Sequence, residues 1–420
     1  MEIFDSYNLI IEASVIIILS FFFGELARKT NIPSVLMLII LGICLKFGLD
    51  AYGEDSINFF SYLEILGIVG LIMIVLEAAL ELELKREKLI PIAKALAIAL
   101  VGLMASIWVA AMILHKFIDG MSIEAAWLYA TPLSILSSAI IIPSVAGLKE
   151  QKREFHIYES TFSDIFGIMI FYFLTGQIEL AEHSQGLVGF GGTIVATIII
   201  SLIASYAIVI LFQRIKSHTK LFLLIAVLLL LYAIGKKMHL SPLLLILVFG
   251  LLIANMKLFF KGPMKKWLDM DKAKHIYEGL HVVTMETAFV VRTFFFVIFG
   301  LTISLGTLAN FKVAGISLLI IASIYLIRFV VLRVSLGKDI LPQLFIAPRG
   351  LITILLYYAI PEDAKVATFE EGILLYVIIG TSLIMTAAMI YDKRRTSAAI
   401  RKATRTPVGY TKWKAPTIVD

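Results

Sequence analysis

The chain has 420 residues, 60% of them hydrophobic and 16% charged, with 37 Lys and Arg against 31 Asp and Glu and a single cysteine. A soluble domain carries about 45–50% apolar and about 25% charged residues, so a mean hydropathy of +0.95 excludes a soluble enzyme and a disordered chain. Cys44 alone can form neither an intrachain disulfide nor a thiolate metal cluster, and the chain reads as an all-α integral membrane protein.

A membrane-spanning helix needs roughly 20 mainly apolar residues, because its backbone polar groups must be satisfied within the hydrocarbon. Runs of that kind predict thirteen spans, over residues 7–26, 33–49, 61–82, 92–115, 123–147, 155–178, 188–212, 220–236, 240–256, 279–304, 311–334, 340–360 and 369–391. The first follows Glu2 and Asp5 instead of a basic stretch and is too long for a signal peptide, so it reads as a retained helix. The short alternating segments of a membrane barrel do not occur. Twenty-seven of the basic residues fall at one set of span ends, eight of them in 393–420, against five on the other side: Lys116, Lys236, Lys237, Lys312 and Lys365. Excess basic charge stays cytoplasmic. The pattern predicts an outside N-terminus, a membrane domain over 1–392 and a basic cytoplasmic tail over 393–420, in the inner membrane of a cell. The tail is a candidate dock for anionic lipid; since topology accounts for the basic charge, nucleic acid is not expected as a partner.

Asn31-Ile-Pro-Ser opens the second span and His239-Leu-Ser-Pro the ninth. Each places a polar cap and a Pro (Pro33, Pro242) before an apolar run that ends in Gly42 or Gly250. Seven spans separate them, an odd number, so the two copies insert in opposite senses. This predicts an inverted repeat of spans 1–6 and 8–13, with the seventh as linker. The same offset pairs the fifth span, from Thr131-Pro132 to Pro143, with the twelfth, which contains Ala347-Pro-Arg-Gly350. Pro removes a donor and frees a carbonyl, and Gly relaxes the backbone. Spans five and twelve are therefore expected to be discontinuous, with exposed carbonyls and half-helix ends suited to ions.

An ionisable group within the membrane is costly and points to function. Asp164 sits near the centre of the sixth span, with Ser160 four residues earlier on the same helix face and Glu159 one step round towards the cytoplasm. Arg349, between Pro348 and Gly350, is the natural counter-ion for a buried acid. Glu77, Glu286 and Arg292 form a second set, read as a structural ion pair between helices. Glu12 and Arg328 lie within spans and have no evident partner. A carboxylate with hydroxyls and freed carbonyls is a hard-oxygen site that suits an alkali cation. It can hold a cation or a proton but not both, which suffices for exchange. No phosphate-binding G-x-x-x-x-G-K-[ST] loop occurs, so a gradient must drive transport, with no enzymatic step and no cofactor.

Those residues resemble the monovalent cation/proton antiporter superfamily, particularly its sodium/proton exchanger branch, over roughly residues 10–390. Glu159-Ser-Thr-Phe-Ser-Asp164 is similar to the family's sixth-helix pattern, with Asp164 in the ion-binding position. Ala347-Pro-Arg-Gly350 resembles its twelfth-helix stretch, the acidic 76–84 segment the end of its third helix, and Leu136-Ser-Ser-Ala139 its unwound fifth helix. The resemblance implies a homodimer whose six-helix core moves like an elevator against a dimerisation domain. It also implies a structural ion pair between Glu159 and Arg349, and a cation/proton site of Asp164 with Ser160, Ser163, Thr131, Ser137, Ser138 and fifth-span carbonyls. Two departures stand out. Ser163 replaces the family's Asn or Asp, which removes a second carboxylate and favours one-for-one exchange. The Thr-Asp-Pro of many fifth helices is also absent, which leaves Na+ against K+ open. The expected function is antiport of Na+ or K+ against H+; a gated cation channel and a transporter-derived sensor or membrane subunit are the competing readings.

Overall fold

The computed structural model describes residues 11, 14–26, 34–52, 60–82, 84, 86–145, 147–179, 187–215, 220–237, 242–260, 269–302 and 310–405. Glu12, the polar span openings at 31–33 and 239–241, and residues 406–420 lie outside the described residues. Among the described residues the regular structure is entirely helical. In chain order it comprises α1 Ser14–Leu26, α2 Ser34–Tyr52, α3 Phe60–Glu81, α4 Leu89–Phe117, α5 Ile123–Ser134, α6 Ser138–Ser144, α7 Glu150–Glu179, α8 Leu187–Phe212, α9 Lys220–Lys237, α10 Pro242–Ala254, α11 Met256–Phe259, α12 Met270–Thr302, α13 Phe311–Leu336, α14 Leu351–Tyr358 and α15 Gly372–Arg405.

Six of these segments are long and apolar enough to cross a membrane: α4, α5 with α6, α7, α12, α13 and the first part of α15. The other apolar helices are shorter over their described residues. Local chemistry sets several starts. The Ser122 hydroxyl accepts the Ala125 N–H at 3.1 Å to cap α5, and Asn310 does the same for α13 through the Lys312 N–H at 3.0 Å. Pro242 occupies the first position of α10, where its missing N–H costs nothing. Large side chains such as Trp108 on α4, Ile203 on α8 and Leu326 on α13 point out of the protein; hydrocarbon is the solvent in which such faces are stable.

The helices pack as two groups. One brings together α2, α3, α8, α9, α10 and α12; the other α4, α5, α6, α7, α13, α14 and α15. Packing within the first is close enough to require glycine: a Cβ on Gly42 of α2 would lie 2.1 Å from the Val297 carbonyl oxygen, and one on Gly300 of α12 would lie 2.4 Å from that of Ile39. Between the groups the seam is thinner, and is formed mainly by α3 and α10 against α7 and α14.

Two predicted segments differ from their apolar runs in helical extent, the twelfth with an interruption where one was expected. The twelfth, expected over 340–360, is helical only in the 3-10 turn Gln343–Phe345 and in the eight residues of α14; 346–350 carries no regular structure. Pro342 and Pro348 supply no N–H, so a continuous ladder cannot form there. At the C-terminus, α15 runs through residue 392 without a break and continues to Arg405.

Candidate functional site

The site is assembled around two interruptions that touch. Pro132 lies within α5, and the helix ends at Ser134, after which Ile135 is extended. Three residues later α6 begins. Bare backbone at this depth must find partners, and it does. The Leu136 N–H donates to the Ser163 hydroxyl of α7 at 3.0 Å, and the Ser137 N–H donates to the Pro348 carbonyl, in the irregular 346–350 segment, at 3.0 Å. At this crossing Gly350 has no room for a side chain: a Cβ there would lie 2.5 Å from the Ser137 hydroxyl oxygen.

Arg349 serves the same crossing. Its Nε donates to the Leu133 carbonyl at 2.9 Å and its Nη1 to the Ala347 carbonyl at 2.9 Å, while its own N–H donates to the Thr381 hydroxyl of α15 at 3.0 Å. A guanidinium at the carbonyl end of α5 satisfies an orphan acceptor and opposes the negative pole of the helix. This corrects the expected pairing of Arg349 with Glu159. Arg328 of α13 holds Glu159 instead, with Nη1 on Oε1 at 2.8 Å and Nη2 on Oε2 at 2.9 Å; its Nε donates to the Gln343 carbonyl at 3.0 Å. His156, fully buried, places Nδ1 3.3 Å from Glu159 Oε2. The fork of Arg328 matches both carboxylate oxygens, so the pair is locally neutral. A lone Arg within an apolar helix was the sequence signal for it. Its partner was not readable, because Glu159 is 169 positions away along the chain.

Asp164 is different. It is 3% exposed, and neither carboxylate oxygen meets hydrogen-bond geometry with any donor. The Ser138 hydroxyl and N–H, at the start of α6, are directed at it from the neighbouring element. It opens on a cavity of about 20 Å3 in the seam, walled by Ile74 and Ala78 of α3, Leu243 and Leu247 of α10, and Ile352 of α14. That is room for about one water-sized particle, and Asp164 is the one charged residue in the wall among the described residues. A second cavity of about 30 Å3, lined by Ser134, Ser163, Glu159, Arg328 and Arg349, lies within the α4–α13 group and does not include Asp164.

The other expected site residues divide. Ser163 and Ser137 secure the interrupted backbone, as above. Ser160 gives its hydroxyl to the His156 carbonyl at 2.7 Å, and Thr131 gives its own to the Trp127 carbonyl at 2.8 Å. Both are buried and retain oxygen lone pairs. Glu77 and Arg292 meet, Nη2 to Oε2 at 2.7 Å. Glu286 is exposed on α12. Among the described residues no group of three or more His, Cys, Asp or Glu side chains is placed to hold a metal ion. The arrangement therefore offers one carboxylate, hydroxyls and backbone oxygens.

The family described as "Sodium/hydrogen exchanger, transmembrane" matches residues 15–391. The fold is similar to that of the sodium proton antiporter MjNhaP1 from Methanocaldococcus jannaschii at pH 8, with a TM-score of 0.67 at 18% identity, covering 93% of this chain and 99% of that one. It is similar also to the structure of that antiporter from an electron-microscopy map, with a TM-score of 0.63 at 18% identity, covering 98% and 99%. No curated protein sequence matches.

Proposed function

Because the chain belongs to the sodium/hydrogen exchanger family, and is thus a multi-pass membrane cation/proton antiporter, we propose that Asp164 is the shared site at which a monovalent cation, Na+ or K+, and a proton bind by turns. The observation that carries this reading is a buried carboxylate, approached by the Ser138 hydroxyl and N–H but with neither oxygen in a hydrogen bond of ordinary geometry, opening on a small cavity in the seam between two helix groups. An unpaired carboxylate in that setting is costly unless something neutralises it. A proton does so, and so does a partly dehydrated alkali cation with Ser138, Ser160, Thr131 and carbonyl oxygens as further hard donors. Each excludes the other, which couples the two fluxes.

The charges around the crossing favour an electroneutral cycle. Glu159 is cancelled by Arg328, Arg349 is opposed by helix-end carbonyls, and Ser163 stands where a second carboxylate would add charge. One cation then replaces one proton. In the same reading the protein is a homodimer in the cytoplasmic membrane, with its N-terminus outside and its basic C-terminal tail on the cytoplasmic side.

Purified protein in liposomes with an imposed pH gradient and an internal pH dye tests this. Addition of Na+, K+ or Li+ is expected to release protons with saturating cation dependence, at a rate indifferent to an imposed membrane potential. A potential-dependent rate contradicts electroneutrality. No proton movement with any of these cations contradicts antiport itself.

A further inference from the structure

Helix α6 contains a carbonyl that its own helix cannot satisfy. In an α-helix the carbonyl of residue i accepts from the N–H of residue i+4; for Ala139 that residue is Pro143, which has none. A donor arrives from outside. Arg292 Nη1 lies 3.5 Å from the Ala139 carbonyl oxygen, while Nη2 is held by Glu77 Oε2 at 2.7 Å. Its Nε is buried and makes no hydrogen bond. Arg292 and Glu77 sit on α12 and α3, in one helix group, and Ala139 sits on α6, in the other. The guanidinium therefore bridges the seam that contains Asp164. Ala139 directly follows Ser138, whose polar groups face Asp164.

We propose that Arg292 is a positioning residue for the Asp164 site: held by Glu77, it docks on the carbonyl that Pro143 frees, and so fixes the first turn of α6, with Ser138, against α3 and α12. The inference rests on Asp164 being the exchange site. The short bond to Glu77 is the fixed leg, and the long bond to Ala139 is the separable one. A weak leg is what a carrier requires here, because a site open to one side of the membrane must later face the other, and contacts across the seam must part for it to do so. A plain ion pair clamping α3 to α12 would need neither Pro143 nor Ala139.

The test compares wild type, Arg292→Gln, Arg292→Lys, Pro143→Ala and the Pro143→Ala/Arg292→Gln double variant in liposome exchange, together with hydrogen–deuterium exchange over residues 136–145. Pro143→Ala supplies the missing N–H within α6 and makes the outside donor redundant. Arg292→Gln is expected to raise the apparent KM for the cation about three- to tenfold, the size of one weak hydrogen bond, with the maximal rate within about twofold. Arg292→Lys recovers part of the affinity, since it keeps one charged donor. In the Pro143→Ala background Arg292→Gln adds less than about twofold, and with Pro143 in place it speeds amide exchange at 138–141. An unchanged KM with unchanged amide exchange overturns the proposal, as does an Arg292→Gln effect of equal size with and without Pro143. The amide measurement judges the anchor by itself: a wild type that moves no cation refutes the antiport reading, while faster exchange at 138–141 in Arg292→Gln still upholds the anchor.

Discussion

Glu159 and Arg328 are almost completely enclosed, and each carboxylate oxygen receives its own guanidinium nitrogen. Removing one partner of such a pair strands the other charge in a medium that cannot solvate it, at about 3–5 kcal/mol. Glu159→Gln is therefore expected to lower the melting temperature of the purified protein sharply. The Glu159→Gln/Arg328→Met double variant should recover much of the loss, since no charge is then left unpaired; a double variant less stable than the two singles combined contradicts the pairing. Outside the membrane the same attraction is weak. Asp119, in the turn after α4, has Lys312 Nζ 2.9 Å from Oδ2, and this hydrogen bond and positive charge hold its carboxyl below the usual carboxylate range. A depressed native value stabilises above the ordinary carboxylate value and is lost as pH falls through the native one. Lys312→Ala should lower the melting temperature slightly at pH 7, since the pair is exposed and screened, and by nothing in strong acid. A difference that widens in acid contradicts the assignment.

The interrupted elements are held by bonds between segments far apart in sequence. Ser163→Ala strands the buried Leu136 N–H, a loss of about 1–3 kcal/mol, and Gly350→Val drives a branched side chain into the Ser137 hydroxyl. Both variants are expected to melt earlier and to lose exchange, as read by thermal unfolding and liposome flux; wild-type behaviour of Ser163→Ala would show that Leu136 finds another acceptor. Much of this level was legible in the chain. Pro132, Pro143, Pro348 and Gly350 mark where donors are missing, and Asp164 stands out as the central charge of its helix. What the sequence could not show is which distant group answers each orphan. The Arg349 guanidinium turned to the Leu133 carbonyl because the carbonyl end of α5 ends beside it, and Arg328 of α13 took Glu159. Ser160 was expected as a ligand because it lies one helical turn before Asp164, and Thr131 because the family resemblance implies it. In this structure their protons go to carbonyls four residues back, a local bond open to any Ser or Thr within a helix.

At the scale of the whole molecule, apolar run length and charge asymmetry were enough to identify an all-helical membrane protein, because hydrocarbon leaves the backbone few options. The division into two helix groups was not readable from runs of Leu, Ile and Val, which pack equally well on many neighbours; it depends on close approaches such as Gly42 on Gly300. That division gives Asp164 its setting, since the carboxylate lies where the groups meet and where few contacts would have to be broken for them to shift. The central claim is that one acid carries both substrates. Its most direct measurement is isotopic Na+ or Rb+ uptake driven by an outward proton gradient in liposomes bearing wild type or Asp164→Asn, with the variant first shown by thermal unfolding to be folded. Uptake should be cation-saturable in the wild type and fall to that of protein-free liposomes in Asp164→Asn; uptake by the variant near the wild-type rate would contradict the account.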